Sequence, residues 1–110
     1  MTERGRVYHP ADRDTRDLFA GGRVNFTHAT AMTLAEWRFE AGAQLPEHSH
    51  PHEQISMLLS GEFELTVSGE VYRLLPGSTV VIPSNVRHSG RAIADAHLID
   101  VFHPVREDYR

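Results

Sequence analysis

Three histidines within five residues are the first place in this 110-residue sequence where side chains of one type could act together. The segment reads His48-Ser-His50-Pro-His52. In an extended chain, side chains alternate between two faces, so His48 and His50 point the same way, about 7 Å apart along the strand. Two imidazoles on one face can bind a single ion, because neutral imidazole is the commonest metal ligand among side chains. The spacing therefore predicts a metal site here.

Other side chains have the parity or the position to join such a site. Gln54 offers an amide oxygen on the same face as the first two histidines. His52 shares that parity, but Pro51 can disturb the pleat, so His52 ranks below Gln54 as a ligand. From the rest of the chain, His88 in the segment PSNVRHSG is the best further candidate. The weaker candidates are His97 and His103. The alternative is an exposed loop whose histidines bind nothing.

A second group of chemically capable side chains lies near the end of the chain. Asp100 and Phe102 share one face of a strand, which would place a carboxylate beside an aromatic ring. A buried carboxylate needs a partner or a raised pKa, and either makes Asp100 a candidate acid or base. Arg106 follows the Pro104 turn and has a guanidinium group suited to a substrate carboxylate. The alternatives are that Asp100 faces solvent, Phe102 only fills the core and Arg106 is a surface charge.

The composition excludes several other kinds of chemistry. All 11 basic residues are arginine and there is no cysteine, which excludes lysine Schiff bases, thiol nucleophiles, disulfides and thiolate metal sites. With 15 acidic residues the net charge is −4, which gives no sign of nucleic-acid binding. We expect no signal peptide in the polar first residues and no membrane span, which needs about 18 apolar residues. The sequence thus predicts a cytoplasmic protein.

Short apolar stretches separated by Gly and Pro are typical of an all-β sandwich or barrel. The predicted strands are 32–39, 55–60, 63–67, 71–75, 79–82 and 96–102. Ser68-Gly69 is predicted to form a tight hairpin turn, in which Gly supplies a positive φ. The change in composition indicates one barrel domain over 23–110 after a polar N-terminal arm over 1–22. A short helical turn around 14–20 is an option within that arm.

The histidine segments resemble the two sequence motifs of the cupin family. The first motif, which usually has a glutamate where Gln54 stands, is matched by Gly42, His48, His50 and Gly61. The second is matched by Gly77, Pro83 and His88. Asn85 stands where glycine is usual, and Ala92 where asparagine is usual. Asparagine adopts left-handed backbone more readily than other non-glycine residues, so Asn85 preserves the motif.

The cupin resemblance covers roughly residues 25–105 and implies a single-domain antiparallel jelly-roll β-barrel with a divalent metal ion inside it. The ligands that it implies are His48, His50, Gln54 and His88. Three imidazoles and an amide leave the charge of the ion uncompensated, which favours an anionic ligand or an acidified water. Ligand type alone does not separate Zn, Ni, Mn and Fe.

Within the cupins, the stretches HSHPHEQ, IPSNVRH and LIDVFHPVREDY resemble the KdgF family of pectin degradation. That family converts 4,5-unsaturated monouronates from pectin or alginate breakdown from the ring form to the linear keto form. The resemblance implies a KdgF-like isomerase or lyase of carbohydrate metabolism, with an anionic sugar acid as substrate and a homodimeric assembly. The catalytic and substrate-contacting residues that it implies are Asp100 for the proton, Phe102 for the sugar ring and Arg106 for the substrate carboxylate.

Two other interpretations stay open from the sequence. The barrel could carry another metal-dependent enzyme, such as a dioxygenase, a lyase or a sugar isomerase, because fold does not fix reaction. The lack of a carboxylate ligand departs from non-haem iron oxygenases and weakens the first of these. The chain could also be a non-catalytic small-molecule-binding cupin.

Overall fold

Residues 4–110 are described by a computed structural model, in which ten β-strands and two short 3₁₀ helices form. The strands are β1 Arg16–Phe19, β2 Gly22–His28, β3 Thr33–Phe39, β4 Gln44–His48, β5 Glu53–Ser60, β6 Phe63–Val67, β7 Glu70–Leu74, β8 Thr79–Ile82, β9 His88–Ala92 and β10 Ala96–His103. The 3₁₀ helices are Pro10–Asp12 and Glu107–Tyr109. Over these described residues there is no helix long and apolar enough to cross a membrane. The predicted all-β class is confirmed.

The strands pair in a nested order that is typical of a jelly roll. β3 pairs with β10, β4 with β9, β5 with β8 and β6 with β7, each time antiparallel. The nesting produces a six-stranded sheet, in the order β1-β2-β3-β10-β5-β8, and a four-stranded sheet, in the order β4-β9-β6-β7. Because nested partners are far apart in sequence, His48 on β4 becomes the direct neighbour of His88 on β9.

Alternation of buried and exposed residues places the hydrophobic core between the two sheets. Every second residue of β3 and of β10 is buried. The rings of Trp37 and Phe39 on β3 lie 5.2 Å apart, and Phe63 on β6 lies 5.1 Å from Phe39. Burying such a side chain contributes about 1.5–3 kcal/mol. The inward face of β10 is apolar except for Asp100, which makes that carboxylate stand out.

Two turns use residues in the left-handed conformation, as predicted. Ser68 has a φ of 50° and Gly69 a φ of 81°, so both central residues of the β6–β7 hairpin have the positive φ of a type I′ turn. Asn85 has a φ of 65°. Its backbone N–H donates to the carbonyl of His50 at 2.8 Å. This bond ties the loop before β9 to the loop between β4 and β5.

Part of the arm predicted over 1–22 belongs to the sheet. β1 pairs with β2 at the sheet edge, with Arg16 opposite Val24. The option of a short helical turn around 14–20 is therefore wrong, because residues 16–19 form a strand. The physical reason is tertiary packing, because Phe19 places its ring 5.5 Å from that of Trp37 and 5.9 Å from that of Phe39. Residues 1–3 of the arm lie outside the described residues.

Candidate metal centre

Three imidazole rings from separate parts of the chain lie against one another. His48 ends β4 and pairs directly with His88, which begins β9. His50 lies in the loop that Asn85 ties down. The ring centroids are 4.2 Å apart for His48 and His88, 4.9 Å for His50 and His88, and 5.6 Å for His48 and His50. One nitrogen of each ring lies within 4.8 Å of the others, the closeness that a shared metal ion requires.

Backbone carbonyls determine which nitrogen of each ring is available. The Nδ1 atoms of His48, His50 and His88 lie 2.7, 3.0 and 2.9 Å from a carbonyl oxygen two residues away. A carbonyl only accepts, so each Nδ1 carries the proton and each Nε2 carries a lone pair. The Nε2 of His88 is buried and has no hydrogen-bond partner among residues 4–110. A buried acceptor without a partner is destabilising unless something else binds it.

Burial keeps two of the rings in the neutral form. Burial, the nearby charge of Arg106 and the His88 ring together lower the pKa of His50 to about 4. Burial also lowers the pKa of His88. Neutral imidazole binds metal ions, whereas imidazolium has no free lone pair. The two buried rings are therefore in the form that a ligand needs.

Gln54 turns its amide oxygen toward this group of rings. The Oε1 of Gln54 lies 3.1 Å from the Nε2 of His50, while its Nε2 donates to Ser56 Oγ at 2.9 Å. Ser56 in turn donates to Oδ1 of Asp100 at 2.5 Å. The amide oxygen and the free nitrogen of His50 are both acceptors, so they repel each other unless a cation lies beside both.

These donors fit a divalent transition-metal ion. Two ligands that each lie about 2.1 Å from one ion are roughly 3.0–3.4 Å apart, a range that includes the separation between Gln54 Oε1 and His50 Nε2. The unpartnered nitrogen of His88 is a second atom that a cation would satisfy. The structure thus brings together all four residues predicted as ligands. Their role as ligands stays a prediction.

Asp100 lies buried in the sheet, opposite Ala35 on β3 and Ser56 on β5. It is 5% exposed. Burial raises the pKa of Asp100 to about 6, although hydrogen bonds from Ser56 and Gln54 act in the opposite direction. A carboxyl group with this pKa can take up and release a proton near neutral pH, as an acid–base catalyst must.

Two of the four candidate metal ligands, His48 and Gln54, line one cavity of about 310 Å³ together with Asp100. Its polar lining consists of His48, Gln54 and Asp100, together with the hydroxyl-bearing ring of Tyr109. The apolar lining consists of Leu18, Phe19, Phe26, Trp37, Leu45 and Phe102. Ligand pockets range over about 300–1,000 Å³, so this one suits a molecule with a single ring.

Arg106 is buried, with 6% of its surface exposed. Its guanidinium carbon lies 4.7 Å from the ring centre of Phe102 and 4.5 Å from that of Tyr109. The Nε and Nη2 atoms donate to the carboxylate of Asp108 at 3.0 and 2.8 Å. Asp108 therefore occupies the edge of the guanidinium group formed by Nε and Nη2, and among residues 4–110 Nη1 makes no hydrogen bond.

The segment 104–110, here called the C-terminal tail, is held by residues that the sequence analysis did not single out. The backbone N–H of Arg106 donates to Oγ1 of the buried Thr33 at 2.9 Å. That oxygen also lies 2.8 Å from Nδ1 of His28. The carbonyl of Tyr109 accepts from Arg16 at 3.0 Å and lies 3.3 Å from Nε2 of His28. When His28 carries its proton on Nε2, it donates to the carbonyl of Tyr109 and its Nδ1 accepts from the hydroxyl of Thr33, so each of these bonds has one donor and one acceptor.

Part of this arrangement had a visible signal in the sequence. Val24, Phe26 and His28 alternate along β2, which predicts one shared face for all three. Phe26 uses that face to stack on Tyr109, with ring centroids 4.4 Å apart. The contact with the C-terminal tail itself depends on tertiary structure, so no local pattern could identify it.

The remaining candidate histidines lie outside the group of three. The half-buried ring of His52 lies 5.6 Å from that of His50 and 6.5 Å from that of Phe102. His97 contacts the carboxylate of Glu36 at 2.7 Å. His103 is exposed at the end of β10. The structure therefore does not bring these three into the candidate metal centre.

Comparison with known proteins adds a family to this geometry. Residues 35–102 match the model of the cupin domain. Two solved structures superpose with a TM-score of 0.90. KdgF from Halomonas sp. is 30% identical, and the match covers 97% of this chain and 100% of that one. An RmlC-like cupin from Shewanella frigidimarina NCIMB 400 is 26% identical, and the match covers 100% of both chains.

A curated relative extends these matches to a longer protein. Polyketide synthase CurC from Streptomyces cyaneus is 32% identical over 91 residues, which make up 82% of this chain and 57% of that protein. The chain thus spans little more than half the length of CurC.

Proposed function

The chain belongs to the cupin family, and from that premise we propose that it is a metal-dependent enzyme that opens the ring of 4,5-unsaturated monouronates and ketonises the product. One observation carries the proposal: a single small cavity is lined both by candidate metal ligands and by a carboxyl group with a raised pKa. The similarity to KdgF from Halomonas sp. along nearly the whole chain supports the same choice. So do the sequence segments typical of the KdgF family, which include the C-terminal tail.

The residues proposed to hold the ion are His48, His50, Gln54 and His88. A divalent ion bound there supplies Lewis-acid polarisation of a substrate oxygen. All four ligands are uncharged, so the site keeps the positive charge that attracts a uronate. The Nδ1–carbonyl bonds keep each ring oriented for this task.

Asp100 is proposed to carry the proton that the reaction moves. Its Oδ1 accepts from Ser56, so the proton is exchanged at Oδ2. The ionised carboxylate takes the proton of the anomeric hydroxyl as the bond between C1 and the ring oxygen breaks, which leaves an aldehyde at C1 and an enolate at C5. The carboxylic acid then returns the proton to C4, and the enolate becomes the ketone. Acid–base catalysis of this kind contributes about 10²–10⁴-fold.

The aromatic and cationic side chains are proposed to orient the substrate. Phe102 lines the cavity and offers a flat face for a sugar ring. Arg106 lies over that ring, and its Nη1 is proposed to donate to the substrate carboxylate. The cavity volume favours a monosaccharide over an oligosaccharide.

The test is turnover of a freshly generated 4,5-unsaturated monouronate by purified protein loaded in turn with Zn²⁺, Ni²⁺, Mn²⁺ and Fe²⁺. Loss of the ultraviolet absorbance of the C4–C5 double bond measures the rate, and NMR identifies the keto product. We expect at least one ion to accelerate the loss of absorbance above the spontaneous rate. The metal-free protein is the control. A rate equal to that of substrate alone with all four ions would contradict the proposal.

A further inference from the structure

Ser56 lies at the centre of a buried polar chain that joins the candidate metal centre to Asp100. We propose that Ser56 is a positioning residue, which fixes the amide of Gln54 so that its oxygen faces the three imidazoles. The inference rests on the metal site of the proposed function. It adds a residue that is not one of the defined positions of the two cupin motifs and is outside the predicted set of ligands.

The register of the sheet places Ser56 where it can make both of its bonds. It is the direct cross-strand neighbour of Asp100, and it lies two residues from Gln54 on the same face of β5. Its side chain is 2% exposed, so water does not compete for the hydroxyl group. Both bonds of the hydroxyl are therefore made inside the protein.

The direction of the hydrogen bonds follows from the chemistry of the groups. An ionised carboxylate only accepts, so the single proton of the Ser56 hydroxyl points to Oδ1 of Asp100. The hydroxyl oxygen can then only accept a hydrogen bond from Gln54. The amide N–H group of Gln54 therefore donates to it, at 2.9 Å. The amide nitrogen is held on the Ser56 side, and the oxygen is left on the side of His50.

This orientation is unfavourable without a cation and favourable with one. The amide oxygen of Gln54 lies 3.1 Å from a His50 nitrogen that has only a lone pair, because the proton of that ring is donated to a carbonyl. A flipped amide would instead donate an N–H to the same nitrogen and satisfy it without metal. Ser56, together with the hydrogen bond from Gln54 to Asp100, thus disfavours the metal-free arrangement that would turn the oxygen away.

The need for such a residue is specific to an amide ligand. A glutamate has two equivalent oxygens and presents one of them in either orientation, whereas a glutamine must be held the right way round. This chain has Gln54 at the position of the motif where glutamate is usual. The requirement gives a test that separates orientation of the ligand from simple packing.

The first experiment compares Co²⁺ binding to wild type and Ser56→Ala, followed by the visible absorption of the bound ion and by competition with a chromogenic chelator. Loss of a residue that supports a metal ligand weakens affinity by about 10–100-fold, and we expect a loss in that range. Ser56→Thr keeps the hydroxyl and should recover most of the affinity. Ser60→Ala, at the exposed end of the same strand, is the control and should bind like wild type.

The second experiment repeats Ser56→Ala in a Gln54→Glu background. If Ser56 acts by orienting the amide, its loss should change Co²⁺ affinity by less than about twofold once the ligand is symmetrical. An equal loss in both backgrounds, or wild-type affinity in Ser56→Ala, would overturn the inference while leaving the proposed function intact. Failure of wild type to bind Co²⁺ would overturn the metal site and the inference with it. Absence of turnover by a protein that binds Co²⁺ in this pattern would overturn only the proposed function.

Discussion

The three-imidazole group and the C-terminal tail each contribute a residue, His48 and Tyr109, to the lining of one cavity, but they are held in different ways. Each imidazole donates its Nδ1 proton to a backbone carbonyl two residues away in sequence. The tail is held by Thr33 and Arg16, which lie 73 and 93 positions from their partners at residues 106 and 109. The ligand geometry is thus supported by the local backbone, whereas the tail depends on distant side chains. Single substitutions should therefore disturb the tail more readily than the orientation of the rings.

Aromatic stacking makes the tail dependent on several strands at once. Arg106 lies over Phe102 on β10 and over Tyr109, and Tyr109 stacks on Phe26 of β2. Arg16 on β1 lies over the ring of Phe26, with its guanidinium carbon 5.3 Å from the ring centre. Three strands and the tail are therefore joined through one column of rings and guanidinium groups. Each cation–π contact in this column contributes about 0.5–2 kcal/mol of stabilisation.

The largest effect is expected from His88→Ala. The ring supplies a buried nitrogen with no other partner, and local backbone support cannot replace a missing ligand. We expect metal content after purification to fall to background and turnover to be lost, a larger effect than the roughly 10–100-fold expected for a supporting residue. Elemental analysis measures this directly. His97→Ala, which removes a histidine that contacts Glu36, is the matched control and should retain its metal.

Asp100→Asn should separate chemistry from metal binding. The amide keeps the shape of the carboxyl group but cannot exchange a proton, so we expect turnover to fall by about 10²–10⁴-fold. Metal content should stay at the wild-type level, because the asparagine oxygen can still accept the hydrogen bond of Ser56, which orients Gln54. Turnover of unsaturated monouronate at the wild-type rate would show that the proton is moved by another group.

Arg106→Lys should show how strongly the tail contributes to substrate binding. A lysine keeps the charge but loses the paired N–H groups, and hydrogen bonds to charged groups contribute about 1.5–3 kcal/mol, or roughly 10–150-fold. We expect the KM for the uronate to rise within that range while kcat changes less. An unchanged KM would mean that Asp108 fully occupies Arg106 in the working enzyme.

The buried carboxyl group should also be visible in the pH dependence of stability of the metal-free protein. Burial raises the pKa of Asp100 from 3.8 to about 6, so the folded chain binds this proton more tightly than the unfolded chain does. The resulting stabilisation is fully present below about pH 4 and is lost as the pH rises through about 6. It corresponds to roughly 3 kcal/mol.

Urea unfolding of wild type and Asp100→Asn measures this contribution. From about pH 4 to pH 7 the wild type should lose up to roughly 3 kcal/mol of unfolding free energy relative to the variant. The comparison cancels the contributions of all other ionisable groups, because both proteins contain them. Parallel pH profiles would show that the carboxyl group has an ordinary pKa in the folded state.

Thr33→Val is expected to have the smallest effect. The valine has nearly the same shape, but it leaves the N–H of Arg106 and the Nδ1 of His28 without their partner, which should lower the free energy of unfolding by about 1–3 kcal/mol. The KM for the uronate should rise with it, while metal affinity is unchanged. The control is Thr79→Val at an exposed position of β8. A matched fall in metal affinity would show that the two regions are not independent.

The same contrast explains how much could be predicted from the sequence. The pair at positions 48 and 50, the hairpin at Ser68-Gly69 and the left-handed Asn85 all depend on neighbours in sequence, and the structure contains each of them. The strands β3, β5 to β8 and β10 were also predictable, because short apolar runs ended at or near Gly or Pro. The predicted roles of Asp100, Phe102 and Arg106 stay predictions.

Other elements had too little local signal. β9 has the sequence HSGRA, without an apolar alternation, and it is a strand because β4 and β6 both pair with it. The hold of Thr33 on the tail is likewise a product of the nested topology. The polar chain through Ser56 lies between these cases, since its parity with Gln54 was visible but its partner Asp100 on β10 was not.

Trp37 is the only tryptophan in the chain, and it lines the cavity beside Asp100. The protein therefore carries a built-in optical probe with no background from a second indole. Paramagnetic Co²⁺ or Ni²⁺ bound near it should quench the emission more than Zn²⁺ does, and a ligand that fills the cavity should shift the emission wavelength. The proposed binding of a metal ion and of a sugar acid can thus be tested in real time, without a label.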